Sequence, residues 1–245
     1  MSDQITAAED LLARAGDERY GTLLADPPWQ FSNRTGKMAP EHKRLRRYGT
    51  LSFQEIMELP VAQLALPQSH LYLWIPNALI LEGLEVMKRW GFTYKTNIVW
   101  YKTRKDGGPD GRGVGFYFRN VTELILFGTR GSMRTLAPGR RQVNIISKQK
   151  REHSRKPDEQ YGVIEACSPG PYLELFARNK RDGWRQWARD RPSREAWRFQ
   201  KCERSSVRRE GVCHESMVLA GFILIEEAEK SEPLRLDERW RSIRA

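Results

Sequence analysis

The sequence is poor in the features that mark disulfide-stapled, zinc-stapled or membrane-spanning chains. It has only three cysteines in 245 residues and no C-x-x-C pair, which excludes a disulfide framework and argues against structural zinc. The apolar run Leu219–Ile225 is far shorter than the ~20 residues of a membrane helix. The acidic N-terminal segment lacks the hydrophobic stretch of a signal peptide. These absences predict a soluble, cytoplasmic protein that needs no membrane.

Metal-ligand and nucleotide-loop patterns are missing as well. The four histidines share no ligand spacing, so no metal site is predicted. A G-x-G-x-x-G motif is absent, and the glycine run within 111–115 has neither a strand before it nor a helix after it. That run is therefore not interpreted as a cofactor loop.

Positive charge, by contrast, is abundant and clustered. Of the net charge of +11, the window Lys102–Lys156 holds +10, from fourteen Lys and Arg against four Asp and Glu. A second cluster, Arg34–Arg47, has six basic residues and one acidic residue. Dispersed cations would be only a solvated surface, whereas clustered cations indicate a polyanionic partner. We therefore expect the protein to bind nucleic acid.

Strand and helix patterns alternate along the chain and predict an α/β fold with a parallel, doubly wound sheet. Residues 1–190 form the predicted main domain, with basic loops in 30–50 and 102–156, and 191–245 are a charged C-terminal extension of unknown role. Loops that follow parallel strands converge on one edge of the sheet, so the basic loops are expected to rim a common crevice. The predicted helices span 2–15, 53–58, 77–90 and 157–167, and the predicted strands are Tyr20–Ala25, His70–Ile75, Phe92–Tyr101, Val121–Gly128, Gln142–Ile146 and, last, Tyr172–Ala177.

The clearest chemical signal is Asp26-Pro27-Pro28-Trp29, directly after the first buried strand. The prolines stiffen the turn and leave carbonyl acceptors, and Trp29 offers a flat surface on which a base could stack. A carboxylate and a carbonyl beside an aromatic ring suit the exocyclic amino group of a nucleobase, because accepting its two hydrogens makes the nitrogen a better nucleophile. The same residues are equally consistent with a strand-ending turn whose Trp29 lies in the core.

Several separated motifs resemble the MT-A70-like adenine-N6 methyltransferases of the β class, over about residues 20–187. The resemblance implies a Rossmann-like class I methyltransferase sheet, S-adenosylmethionine as cofactor, no metal, and methylation of adenine in nucleic acid. The matching segments are Leu24–Trp29, Tyr48–Ser52, Leu71–Trp74, Trp90–Phe92, Ile98–Lys102, Lys156–Glu159, Tyr161-Gly162, Ser168–Gly170 and Glu174–Arg178.

The resemblance also implies roles for individual residues. Asp26, Pro27, Pro28 and Trp29 form the catalytic motif, and Asp26 is also assigned to cofactor binding. Lys156 is expected at the cofactor's carboxylate end, and Glu174 and Arg178 at its ribose. Glu174 could instead be held in a salt bridge, and Lys156 could be only one of the basic cluster. Substrate binding is assigned to Tyr48 and to the basic-loop residues Lys102, Arg104, Lys105, Arg112, Arg140 and Arg141.

One segment departs from the family pattern. Ala188-Arg189-Asp190 stands where the family has Gly-Asn-Gln/Glu, whose side chains help to hold the cofactor, and this puts part of cofactor recognition in doubt. DNA is favoured over RNA as the substrate because the compact chain lacks the long appended regions of the eukaryotic RNA-modifying members. RNA methylation, or a non-catalytic nucleic-acid-binding subunit of a complex, is the alternative, and a homodimer or a partner subunit is compatible with either.

Overall fold

A seven-stranded sheet is the centre of the computed structural model, which describes residues 5–30, 51–111, 117–151 and 155–188. Its strands lie in the order β5-β3-β4-β2-β1-β6-β7. In chain order they are β1 (Tyr20–Ala25), β2 (Ala65–Ile75), β3 (Thr93–Thr103), β4 (Thr122–Arg130), β5 (Ile145–Gln149), β6 (Tyr172–Leu175) and β7 (Trp184–Trp187).

The helices begin and end largely where local sequence signals place them. At the predicted capping box of the second helix, the Glu55 N–H donates to Ser52 Oγ (3.2 Å) and the Ser52 N–H donates to Glu55 Oε2 (2.7 Å). Gly91, at φ +82°, follows the fourth helix, as its predicted end requires. The helices are α1 (Ala7–Ala15), α2 (Phe53–Glu58), α3 (Val61–Leu64), α4 (Ile80–Arg89) and α5 (Glu159–Cys167), with 3-10 turns at Asn77–Leu79 and Pro138–Arg141.

Both faces of the sheet are buried, which confirms the doubly wound α/β class. Successive strand residues point to opposite sides, so Leu23 belongs to one apolar cluster and Leu24 to the other. The Leu23 cluster includes side chains of α1, α2, α3 and α4, and the Leu24 cluster includes Ile164 of α5. This is the Rossmann-like arrangement that the resemblance implies.

The expected parallel direction holds for six of the seven strands, but β4 runs antiparallel to both of its neighbours, β2 and β3. The remaining strands are parallel to one another, either as direct pairs or through β4. We call the edge at which those six strands end the carboxyl edge, and the other the amino edge. The start of β4 therefore lies at the carboxyl edge, whereas the loop after β4 lies at the amino edge.

Two further strand predictions need correction. Tyr172–Leu175 is not the last strand, because Trp184–Trp187 adds β7 beside it. The strand predicted at Gln142–Ile146 lies three residues later, at Ile145–Gln149, where it pairs with β3. In both cases the deciding factor is a neighbouring strand that supplies backbone partners, which periodicity alone does not reveal.

Some predictions fall outside the described residues and stay predictions. They concern most of the basic loop 30–50 with Tyr48, residue Arg112, the boundary after residue 190 and the extension 191–245. Within the described ranges, no helix combines the length and apolar character needed to cross a membrane.

Candidate active site

Asp26 lies at the carboxyl edge, one residue beyond the end of β1. Its backbone N–H reaches the Leu175 carbonyl of β6 at 3.5 Å, so two strands position it, and its side chain is 18% exposed. Pro27 is buried, and its carbonyl accepts the N–H of Trp29 at 2.9 Å. A carbonyl oxygen has two lone pairs, so it retains capacity for a second donor. The turn therefore presents a carboxylate, with a carbonyl next to it in the chain, at the carboxyl edge; we call the part of that edge around Asp26 the crevice.

A chain of alternating charges extends from Asp26 along the carboxyl edge. Lys156 Nζ is 3.2 Å from Asp26 Oδ1 and 2.8 Å from Glu123 Oε2, and Lys102 Nζ is 2.6 Å from Glu123 Oε1. The Lys156 ammonium also lies over the indole of Trp74, 4.6 Å from its centroid. Lys156 thus bridges two carboxylates, and it is not merely one cation in a diffuse basic cluster.

The same contacts set the ionisation of the chain. Burial alone would raise the pKa of Glu123, but the ammonium groups of Lys156 and Lys102 lower it to about 2. Burial opposes the charge on Lys156, yet Asp26 and Glu123 outweigh that effect and raise its pKa. Glu123 is therefore an anion and Lys156 a cation at neutral pH, which holds the ammonium beside Asp26.

Glu123 is the functional residue that sequence reasoning missed. It reaches the crevice only because β4 begins at the carboxyl edge, where Asn77 Nδ2 also donates to Thr122 Oγ1 at 3.0 Å. The single signal in the sequence was an isolated acid inside a strongly basic window. In a parallel β4 the same residue would lie at the opposite edge.

Trp29 is in the core, not on the crevice wall. It is 6% exposed, packs in the cluster that contains Leu23, and donates its indole N–H to the Trp74 carbonyl at 2.9 Å. Of the two interpretations open for Trp29, this arrangement favours the strand-ending turn over a base-stacking surface. The aromatic ring instead fixes the turn that carries Asp26.

Glu174 forms a second polar group near the carboxyl edge. It accepts the Tyr161 hydroxyl at 3.0 Å and, on its other oxygen, the Gln186 amide at 3.4 Å. Burial, reinforced by the charge of Asp26, raises the pKa of Glu174 although both hydrogen bonds oppose this. Among the described residues it makes no ion pair, so the salt-bridge alternative for Glu174 does not hold there. Tyr161 and Gln186 are partners that the sequence analysis did not assign.

The predicted basic contacts divide between the two edges. Lys102 forms an ion pair with Glu123. Arg104 pairs with Asp106 at 2.8 Å in the exposed turn after β3, and Lys105 is exposed next to Arg104. Arg140 and Arg141 lie in the loop after the antiparallel β4, beside Gly139, whose carbonyl contacts Cys167 at the far end of α5. The expectation that this second loop rims the crevice of Asp26 is wrong, because β4 delivers it to the amino edge.

Comparison with known proteins identifies the family. The MT-A70 family model matches residues 20–190. The chain is 34% identical over 174 residues to an MT-A70-like protein of Medicago truncatula, covering 68% of this chain and 25% of that protein. It is 31% identical over 172 residues to the human N(6)-adenosine-methyltransferase catalytic subunit METTL3, covering 68% and 27%. It is 25% identical over 211 residues to Type II methyltransferase M.MunI of a Mycoplasma species, covering 77% and 85%.

Fold and matches together define a Rossmann-like methyltransferase domain. The chain belongs to the MT-A70 family. It spans about a quarter of the length of the plant and human relatives.

The crevice residues fit the cofactor that this family implies. The amino-acid end of S-adenosylmethionine is a zwitterion, and the crevice offers cations in Lys156 and Arg178 beside the carboxylate of Asp26, with Arg178 Nη2 3.8 Å from Asp26 Oδ2. Each oxygen of Glu174 accepts one described hydrogen bond, which leaves acceptor capacity for ribose hydroxyls. Lys156, Arg178, Asp26 and Glu174 are thus the residues suited to hold it. Among the described residues, no group of three His, Cys, Asp or Glu could hold a metal ion.

Proposed function

We propose that the protein methylates the exocyclic N6 amino group of adenine in DNA, with S-adenosylmethionine as the methyl donor. The observation that carries this proposal is the Asp26 carboxylate, held at the carboxyl edge by β1 and β6 and next to Lys156. The cofactor would supply an electrophilic methyl group. The residues of this chain would bind and orient the adenine, activate its nitrogen and accept the proton that leaves.

The residues of the turn would activate the nitrogen by accepting its hydrogens. Asp26 and the Pro27 carbonyl are the two acceptors, and each draws the lone pair out of conjugation with the ring. The nitrogen gains a methyl group and loses one proton, for which the Asp26 carboxylate is the charged acceptor at the turn. Because the target base must leave its stack to reach this pocket, it would be flipped out of a duplex or presented in a single strand.

The choice of DNA follows the relative that this chain matches over most of its length. The alignment covers 85% of the type II methyltransferase but only 27% of METTL3. Because both are relatives, RNA remains the second candidate substrate. We also propose that the protein is cytoplasmic and that it acts as a homodimer or with a partner subunit.

The test is incubation with labelled S-adenosylmethionine and matched single- and double-stranded DNA and RNA, followed by nucleoside analysis. We expect label on N6-methyladenine from DNA. Label only in RNA would overturn the DNA assignment, and label on cytosine would overturn the assignment to adenine. The test variant is Asp26→Ala, which should not label adenine at the wild-type rate. Its matched control is Asp17→Ala, because Asp17 is an exposed acid just before β1, at the amino edge.

Calorimetry with the cofactor alone separates this enzyme from the non-catalytic alternative. We expect S-adenosylmethionine to bind in the absence of nucleic acid. Nucleic-acid binding without any cofactor binding would instead identify the chain as a binding subunit.

A further inference from the structure

A basic cleft opens at the carboxyl edge between the ends of β3 and β5, apart from the crevice of Asp26. Its volume is about 520 Å³. Its charged lining consists of five cations and one carboxylate, namely Arg104, Lys105, Lys148, Lys150, Arg151 and Glu159. All five cations lie in the basic window Lys102–Lys156, but only the pairing of β3 with β5 brings them together.

The two walls of the cleft are built by strand pairing. Lys102 of β3 lies opposite Lys148 of β5, and Thr103 lies opposite Gln149, so Arg104 and Lys150 leave the sheet side by side. The turn after β3 is closed by the Arg104 N–H donating to the Gly108 carbonyl at 2.8 Å. The cations therefore project from a defined frame of backbone hydrogen bonds.

Some of the cations are oriented by acids, and others are not. Lys148 Nζ is 3.1 Å from Glu159 Oε1, and Arg151 pairs with Glu159 at 3.4 Å. Lys105 and Lys150 make no ion pair with any residue that the structure describes. Asp106 pairs with Arg104 and Asp158 pairs with Arg151, so together with Glu159 three carboxylates face five cations. The cleft keeps a surplus of positive charge, which a polyanion can neutralise.

We propose that this cleft binds the phosphodiester backbone of the target strand, on one side of the adenine to be methylated. This inference rests on the proposed function for the identity of the strand. Phosphates suit the site because each phosphate that a lysine or arginine of the protein neutralises releases counterions from the nucleic acid. Lys105 and Lys150 have no ion-pair partner to give up among the residues that the structure describes, so they would contribute most directly.

The sheet sets the distance between the cleft and the catalytic turn. Three strand steps separate β3 from β1 in the order β3-β4-β2-β1, which is about 14 Å at a strand spacing of about 4.8 Å. With about 3.4 Å per nucleotide of a B-form strand, the cleft would contact phosphates about four nucleotides from the target adenine. An unstacked strand, being more extended, would cover the same distance with fewer nucleotides.

The test measures binding without methylation, by fluorescence anisotropy of adenine-containing oligonucleotides over a range of salt concentrations. The cleft variant is Lys105→Gln with Lys150→Gln. The matched control is Lys88→Gln with Arg89→Gln, which removes the same charge from the exposed last turn of α4, at the amino edge. We expect the slope of log K against log salt to fall by about 1.4 for single strands or about 1.8 for duplexes in the cleft variant only.

Neutral methylphosphonate linkages, placed one at a time on each side of the adenine, then locate the contact. In the wild type, those two to five nucleotides away on one side should weaken binding, and in the cleft variant they should have no further effect. An unchanged salt slope in the cleft variant would overturn the inference while leaving the proposed function intact. Conversely, loss of the slope in a protein that methylates no adenine would support the cleft and overturn the proposed function.

Discussion

Replacing Glu123 by Gln removes the anion between two ammonium groups while keeping the size of the side chain. In the wild type, Glu123 Oε1 and Oε2 contact Lys102 Nζ and Lys156 Nζ at 2.6 and 2.8 Å. The variant leaves Lys102 without its carboxylate and leaves Lys156 with Asp26 alone. We therefore expect both a less stable fold and a less firmly held Lys156.

The pKa of Glu123 gives the size of the effect. A pKa of about 2, against the ordinary value of 4.5, corresponds to about 3 kcal/mol of favourable interaction with the ionised form. Removing one partner of a buried ion pair costs ~3–5 kcal/mol, and because the Glu123 side chain is 27% exposed, we expect a cost at or just below the lower end of that range. We expect Glu123→Gln to lower the free energy of unfolding by about 2–3 kcal/mol at pH 7.

The sign of the pH dependence follows from the lowered pKa. A carboxylate with a pKa lower in the folded than in the unfolded chain stabilises the fold above its unfolded pKa and loses that contribution as the pH falls towards the folded value. Between pH 6 and pH 3, the stability difference between wild type and Glu123→Gln should therefore shrink by about 2 kcal/mol.

Urea denaturation at pH 7, 5, 4 and 3 measures this difference directly. The control is Glu85→Gln, which removes an equal charge from the exposed face of α4, and whose offset from wild type should stay nearly constant. Parallel loss of stability in wild type and Glu123→Gln over this range would refute the ion-pair chain as the source of Glu123's stabilisation.

Four other variants test the remaining parts of the site. Asp26→Ala should slow single-turnover methylation by about 10²–10⁴-fold while keeping the fold, and a near-normal rate would remove Asp26 from the chemistry. Glu174→Gln should weaken S-adenosylmethionine binding in calorimetry by ~1–3 kcal/mol, and unchanged affinity would place the ribose elsewhere. Trp29→Phe should destabilise the fold by ~1–3 kcal/mol in urea, because the Trp74 carbonyl loses its buried donor; unaltered stability with lost activity would restore the base-stacking role. Arg140→Gln with Arg141→Gln should leave the salt slope of nucleic-acid binding unchanged, and a fall of about 1 or more would bring the amino edge into the interface.

Elements that depend on neighbours in the chain could be predicted from the sequence. The strand Tyr20–Ala25 and the helix Phe53–Glu58 have the bounds that their local patterns predict. A buried strand needs a run of apolar residues, and a capping box needs side chains three residues apart, so both signals lie within a few positions. The same holds for Asp26, because a residue that follows a strand is carried to the end of that strand.

Features that depend on partners distant in the chain were decided only by the tertiary structure. Whether β4 is parallel or antiparallel to its neighbours depends on the backbone groups with which it forms hydrogen bonds. The residues of β4 itself do not indicate this direction. That one direction places Glu123 beside Lys156 and sends Arg140 and Arg141 to the other edge. Trp29 was ambiguous for a related reason, since only the packing of residues around the turn decides whether an aromatic ring faces the crevice or the core.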